Sequence, residues 1–224
     1  MKATFIALFF DGRHITMPAD EVDHETIVNA ALANSLNTRV TFPDSDVNRI
    51  IQENYDVEEP FRYTASQAWD MEVQTARRPT KYKCPLIRPG SVQLLGTTHT
   101  YPIESFARVT EQRQWLNPEE YTKVIEHILI DHERRKVFIV GLERLTLPDG
   151  EVLEAGQQQP VVHAVNSVEG TEERPIAKWE IVQATEGEDL ELKDVWQHIA
   201  TNDYLPIWSE TYIREDLGRA LVRK

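Results

Sequence analysis

The chain has 224 residues, with 24 Lys and Arg against 37 Asp and Glu and a formal net charge of −13. Hydrophobic residues make up 41 % of it, which is typical of a globular protein and excludes a disordered or fibrous one. The acidic excess excludes a surface that binds nucleic acid throughout, because the phosphate backbone would repel it. The length suits one large domain or two small ones.

The cysteine content and the N-terminus indicate the compartment. Cys84 is the only cysteine, so no intrachain disulfide can form and a reducing compartment is expected. The apolar run at 4–10 is too short for a membrane helix, and no signal-peptide cleavage pattern follows it. We therefore expect a cytoplasmic protein, or one of an intracellular particle, that does not contact a membrane.

The first predicted element is a β-hairpin. Residues 2–10 and 13–17 are rich in apolar and β-branched side chains, and Asp11-Gly12 stands between them. A two-residue Asp-Gly between such runs is the strongest short-range hairpin signal in a sequence.

A helix, a strand and a second helix are predicted next. Asp23 can cap the first helix, whose apolar residues recur at helical spacing, and residues 39–42 form a short strand. The hairpin, helix and strand over residues 2–42 resemble the start of a ubiquitin-like β-grasp in their order and spacing. Asp44-Ser45-Asp46 then opens the second helix.

Residues 73–103 differ from the rest of the chain in composition. They hold five cations and no acidic residue, so the remainder carries 19 basic against 37 acidic residues, a net charge of −18. Their prolines discourage regular structure, which predicts a long loop or extended basic arm between an N-terminal lobe (1–72) and a C-terminal lobe (104–224). The five cations of this arm are Arg77, Arg78, Lys81, Lys83 and Arg88.

The C-terminal lobe is predicted to begin with a long helix. Asn117 caps it, and apolar residues from Tyr121 to Leu129 recur at helical spacing. Together with the elements that follow, this helix predicts an α+β fold rich in antiparallel sheet. The later elements are strands at 137–147, 151–154, 160–165 and 176–184, a helix that includes residues 192–199 and a second helix from about 209.

No motif in the sequence indicates catalysis or a cofactor. The glycine-rich phosphate-binding patterns are absent, and the acidic and histidine residues at 126–132 lack the spacing of a helical zinc site. We therefore predict no catalytic residue, no metal and no cofactor. An enzyme with an unrecognised site remains one alternative, in which several of the following side chains would converge in a pocket: His99, His127, His163, Glu126 and Asp131.

The basic arm suggests a function in assembly. Its cations and Tyr82 could lie on the acidic surface of a neighbouring subunit, and Trp69 and Trp115, which flank it, could anchor that interface. This predicts a non-enzymatic structural or assembly subunit in a homo-oligomer or larger complex, such as a component of a virus-like particle or its connector.

Other readings of the arm stay open. It could fold back on its own domain, since intrachain pairing needs no partner, or it could contact nucleic acid locally through residues 77–88. A further alternative is an acidic regulatory binder that inhibits a basic, nucleic-acid-binding partner.

Overall fold

The structure is a computed structural model that describes residues 4–10, 13–18, 21–58, 60–83, 86–200 and 203–224. The predicted Asp11-Gly12 turn and Cys84 lie outside these residues. Within them the chain forms antiparallel sheets and helices, which confirms the α+β class. The helices are α1 (His24–Ala33), α2 (Val47–Asn54), α3 (Ala65–Arg77), α4 (Pro79–Tyr82), α5 (Leu190–Ala200) and α6 (Ile207–Thr211), the last continuing into a π-helical turn (Tyr212–Asp216).

The strands pair mainly in two sheets. Across the described residues, the larger sheet has the order β3-β13-β12-β9-β8-β7-β6, with β4 also paired to β13, and the smaller has the order β11-β10-β1-β2. The strands are β1 (Phe5–Phe10), β2 (Arg13–Pro18), β3 (Thr38–Thr41), β4 (Ser45–Asp46), β5 (Tyr55–Asp56), β6 (Gln93–Thr100), β7 (Ile103–Arg113), β8 (Tyr121–Asp131), β9 (Lys136–Leu142), β10 (Arg144–Thr146), β11 (Val152–Glu154), β12 (Val162–Thr171), β13 (Arg174–Gln183) and β14 (Val222–Arg223).

The N-terminal and C-terminal parts of the chain share the larger sheet. Strand β3 pairs with β13, whereas the β1–β2 hairpin pairs with β10 in the smaller sheet. The predicted order of hairpin, helix and strand is confirmed, but the hairpin and β3 lie in different sheets. These residues therefore do not form a β-grasp.

The larger sheet is covered on both faces. On one, here the α1 face, Phe138 and Val140 of β9 pack in a cluster with Ile27 and Val28 of α1. On the other, the helical face, Ile139 of the same strand packs in a cluster with side chains of α3. Alternate residues of β9 thus serve opposite faces, as the two-residue period of a strand requires.

The predicted long helix at the start of the C-terminal lobe is wrong. Residues 121–131 form β8, and the Asn117 segment is a turn in which the Glu120 N–H donates to the Asn117 carbonyl at 3.0 Å. Because both faces of β8 are buried, apolar side chains occur at odd and even positions, and their spacing imitates a helix.

The predicted long loop at 73–103 is also wrong. The segment contains the end of α3, all of α4 and the whole of β6. The missed α3 begins with a capping box, in which Thr64 and Gln67 each accept a hydrogen bond from the other's backbone N–H.

Other local predictions are confirmed. The Asp23 carboxylate accepts from the Thr26 N–H at 3.0 Å, and Asp46 caps α2 in the same way. The turn after β10 has Gly150 at a φ of 99°, a conformation that glycine adopts readily. None of the helices among the described residues combines the length and apolar composition that a membrane-spanning helix needs.

Candidate functional site

A cavity of about 580 Å³ lies between the helical face of the larger sheet and the helices that cover it. Strands β8, β9, β12 and β13 supply one side, and residues of α2, α3, α5 and α6 supply the other. The walls therefore come from segments far apart in sequence, which the sheet pairing brings together.

Aromatic rings form a continuous part of this lining. The Trp115 and Trp196 rings lie 4.2 Å apart between centroids, and Trp179 meets Trp208 edge to face at 6.0 Å. Phe42 contacts both groups, with its ring edge-on to Trp179 at 6.2 Å and to Trp196 at 6.5 Å. We call these five rings the aromatic wall.

The aromatic wall contains unpaired hydrogen-bond donors. The indole Nε1 atoms of Trp115, Trp196 and Trp208 are buried and have no hydrogen-bond partner within the described residues. Most buried polar groups in native proteins are paired, because an unpaired donor costs about 1–3 kcal/mol. Three such donors in the lining of one cavity indicate a site suited to an acceptor group.

A buried carboxylate lies behind the lining. Glu72 of α3 accepts one hydrogen bond from Trp179 Nε1 at 2.8 Å and another from Asn166 Nδ2 at 2.9 Å. Burial raises the pKa of Glu72, and these two hydrogen bonds oppose that rise. The two donors line the cavity themselves and so connect the aromatic wall to its polar part.

A buried ion pair fixes the next part of the lining. Arg108 of β7 is 1 % exposed, and its Nε and Nη2 donate to Glu126 Oε2 at 2.9 and 2.7 Å. Its Nη1 donates to the carbonyl of Ala76 in the last turn of α3, at 2.7 Å. Glu126 lines the cavity, so Arg108 connects a carboxylate of the cavity lining to helix α3.

Lys83 brings an amine to the same lining. Its backbone is fixed just after α4, where its N–H donates to the Pro79 carbonyl and its own carbonyl accepts from the Leu86 N–H, both at 2.7 Å. Burial lowers the pKa of Lys83, and the Arg108 charge lowers it further, while Glu126 and Glu72 raise it.

The other arm cations bond within the chain or face solvent. Arg77 is paired with Glu104, and Lys81 donates to Asp216 at 2.8 Å. Tyr82 is buried and also donates to Asp216, at 3.0 Å. Arg88 pairs with Glu111 at 2.8 Å and lies over the Tyr121 ring, while Arg78 is exposed at the end of α3.

The two flanking tryptophans are separated. Trp115 belongs to the aromatic wall, whereas Trp69 on α3 meets the His132 ring edge to face at 5.6 Å. A role of these residues or of the arm cations in binding a partner stays a prediction.

Of the side chains named for a hidden enzyme, only Glu126 lines the cavity, and His163 is buried outside that lining. Glu126 reaches the cavity, but the neighbouring His127 lies on the α1 face, where its Nδ1 is 2.8 Å from Nε2 of His24. His99 is exposed beside Glu104, and Asp131 caps the turn after β8. In the part of the chain that the structure describes, no three His, Cys, Asp or Glu residues are grouped to hold a metal ion.

Comparison with known proteins gives matches in three-dimensional structure alone. No protein-family model matches the chain, and no curated protein matches it. One similar structure is the Zhui aromatase/cyclase from Streptomyces sp. R1128, at 10 % identity and a TM-score of 0.42, with 80 % of this chain and 93 % of that chain covered. Another is Ara h 8.0201, at 10 % identity and a TM-score of 0.46, with 77 % of this chain and 97 % of that chain covered.

The prediction of a structural assembly subunit is wrong. The physical basis of the prediction is gone, because most cations of the supposed arm pair with acidic residues of their own chain. These contacts agree with the intrachain alternative, in which the arm folds back on its own domain.

Sequence reasoning found parts of the cavity but assigned them to other roles. Lys83 and Trp115 were predicted to lie at an interface with a partner, and Glu126 was named only for the alternative of an enzyme with an unrecognised site. Glu72 and Asn166 were missed. Their only signal in the sequence is a polar residue at a position that faces the core in its helix or strand. That signal becomes readable only when the element itself is correctly predicted.

Proposed function

We propose that this protein binds a small, mainly apolar molecule with a flat or aromatic part in the cavity between sheet and helices. The observation that carries the proposal is the cavity itself, about 580 Å³ in volume and lined by the aromatic wall with a few buried polar groups. Ligand pockets typically measure roughly 300–1,000 Å³ and combine an apolar lining with a few placed polar groups.

The unpaired indoles support a ligand that carries acceptor oxygens. Carbonyl, ether or phenolic oxygens near Trp115, Trp196 or Trp208 would accept the hydrogen bonds that these donors otherwise lack. Flat rings suit the remaining surface, because offset and edge-to-face aromatic contacts add about 0.5–1.5 kcal/mol to the gain from burial.

The direct test is a titration of the full chain with N-phenyl-1-naphthylamine, an uncharged probe that fluoresces in apolar sites. We expect saturable binding at one site, with energy transfer from the tryptophans of the aromatic wall. Ala164→Phe, which adds a ring on the cavity side of β12, should weaken binding roughly tenfold, about 1.4 kcal/mol.

The matched control lies on the same strand. Val165 packs on the α1 face, so Val165→Phe adds a ring of the same kind on the other side of the sheet and should leave probe affinity unchanged. Equal weakening by both substitutions, or no saturable binding by the wild-type chain, would overturn the proposal. Circular dichroism and thermal melting would check that both variants are folded.

A further inference from the structure

Among the five cations of its segment, all of which lie in the described residues, Lys83 alone contributes to the cavity lining. Lys81, two residues earlier, donates to Asp216 at 2.8 Å, and that contact raises its pKa. The Lys83 Nζ has no hydrogen bond or ion pair among the described residues, and it lies in the cavity lining with Glu126. Lys83 is half-buried, and a lysine that lines a cavity with no partner among the described residues is uncommon in a folded protein.

We propose that Lys83 is a nucleophile that condenses with an aldehyde or ketone bound in the cavity and forms an imine. This inference rests on the proposed function, since the carbonyl compound must enter the same cavity. It adds covalent capture, or catalysis through an iminium, to simple binding.

The protonation of Lys83 suits this chemistry. Only a neutral amine has the lone pair that attacks a carbonyl, and an ordinary lysine is almost fully charged at neutral pH. Burial lowers the pKa of Lys83, with a further contribution from Arg108. The two carboxylates nearby, Glu126 and Glu72, partly oppose that change, so they supply acidic groups without removing the effect of burial.

The reaction balances without a redox partner. The Nζ lone pair forms a C–N bond to the carbonyl carbon, the C=O π pair moves to oxygen, and a proton passes from nitrogen to that oxygen to give a carbinolamine. The C–O bond then breaks and the oxygen leaves as water, taking up a second proton, while nitrogen gives up its remaining proton and the C=N bond forms.

Glu126 is placed to carry these protons. Arg108 holds its Oε2, and no described residue donates a hydrogen bond to its Oε1. A carboxylate in contact with the cavity can accept a proton from the attacking nitrogen and return it to the departing oxygen.

The test traps the imine by reduction. The full chain is incubated at pH 7.5 with 2-naphthaldehyde and sodium cyanoborohydride, and labelled lysines are identified by intact mass and peptide mapping. We expect one main adduct, on Lys83, formed at least about tenfold faster than on Lys81, because burial lowers the pKa of Lys83 whereas the contact with Asp216 raises that of Lys81, so Lys83 has the larger neutral fraction. Glu126→Gln should slow the labelling of Lys83 several-fold.

Matched variants decide between this reaction and ordinary lysine labelling. Lys83→Met should abolish the main adduct, whereas Lys81→Met, outside the cavity lining, should leave both the adduct and probe binding by the chain unchanged. Labelling spread evenly over the lysines, or an undiminished adduct in Lys83→Met, would overturn the inference while probe binding left the proposed function intact. If Lys83→Met does not fold, saturation of the wild-type chain with N-phenyl-1-naphthylamine should block labelling of Lys83, and failure to block it would overturn the inference.

Discussion

Glu126 and His127 are neighbours on β8, yet they serve two very different faces of one sheet. His127 lies on the α1 face against His24, stacked at 4.9 Å between ring centroids and joined by a 2.8 Å hydrogen bond. Glu126 lies on the helical face beside the cavity and is paired with Arg108. The α1 face is filled by apolar side chains around the pair of buried imidazoles, whereas the helical face has charged side chains around an open volume.

Under the proposed function, the α1 face serves stability and the helical face serves binding. Apolar packing of the kind seen on the α1 face is the main source of folding free energy. Buried ion pairs contribute little net stability, because desolvation cancels most of their attraction. Their presence beside the cavity is therefore better explained by a ligand than by the needs of the fold.

Substitution of Arg108 on the helical face should have the largest effect on the stability of the fold. Arg108→Met leaves the Glu126 charge and the Ala76 carbonyl without their donor, which should lower the free energy of unfolding by about 3–5 kcal/mol. Urea denaturation measures this change. The control is Arg39→Met, which removes an ion pair to Glu180 whose side chains are 48 % and 39 % exposed, and it should cost less than about 1 kcal/mol.

The double variant Arg108→Met with Glu126→Leu sharpens this result. Removing both partners leaves no buried unpaired charge, so much of the lost stability should return. If the double variant is less stable than Arg108→Met alone, the ion pair is a stabilising element and the contrast between the faces is wrong.

A fall in pH should first destabilise the α1 face. Burial lowers the pKa of His24 to about 3, with a smaller contribution from His127, and lowers that of His127 to about 4, both below the ordinary value near 6.5. The neutral rings therefore stabilise the fold fully above pH 6.5, and this stability is lost as the pH falls toward 4. At pH 5 the loss should be roughly 2 kcal/mol for each ring, because the unfolded chain binds the protons that the folded chain refuses.

Urea denaturation at pH 7 and pH 5 checks this expectation. The variant with His24→Leu and His127→Leu should lose less stability between these two pH values than the wild-type chain does. The nearby Asp23 favours the charged form of His24 and reduces the effect slightly. An unchanged difference between the two pH values would show that other groups cause the acid sensitivity.

Local signals in the sequence predicted the parts of the fold that depend on neighbouring residues. The Asp23 cap of α1 and the apolar stripe of α5 with Leu192 and Trp196 are such signals, and both elements are present. Strand β8 failed because its pattern reflects burial on two faces, which no short window of sequence reveals. Helix α3 was missed, although the capping box of Thr64 and Gln67 is a sequence signal for its N-terminus.

The cavity could be predicted only in fragments. Its walls come from strands and helices that meet through the pairing of β3 with β13 and of β12 with β9, contacts that span most of the chain. Trp179 and Trp196 are buried, but their shared volume follows from this non-local pairing. Lys83 was recognised as a cation and not as part of a cavity lining, because the lining depends on tertiary structure.

The smallest effect that we expect is a difference in stability between substitutions at two tryptophans of the aromatic wall. Trp179 donates to buried Glu72 at 2.8 Å, whereas the Nε1 of Trp196, a residue 7 % exposed, has no partner among the described residues. Substitution to Phe removes a similar volume at both sites, but only Trp179→Phe leaves a buried carboxylate oxygen without its donor. Trp179→Phe should therefore be less stable in urea than Trp196→Phe by about 1–3 kcal/mol. Equal stabilities would mean that the Trp179 hydrogen bond has no net value, and the unpaired indoles would then carry no weight as a sign of a ligand.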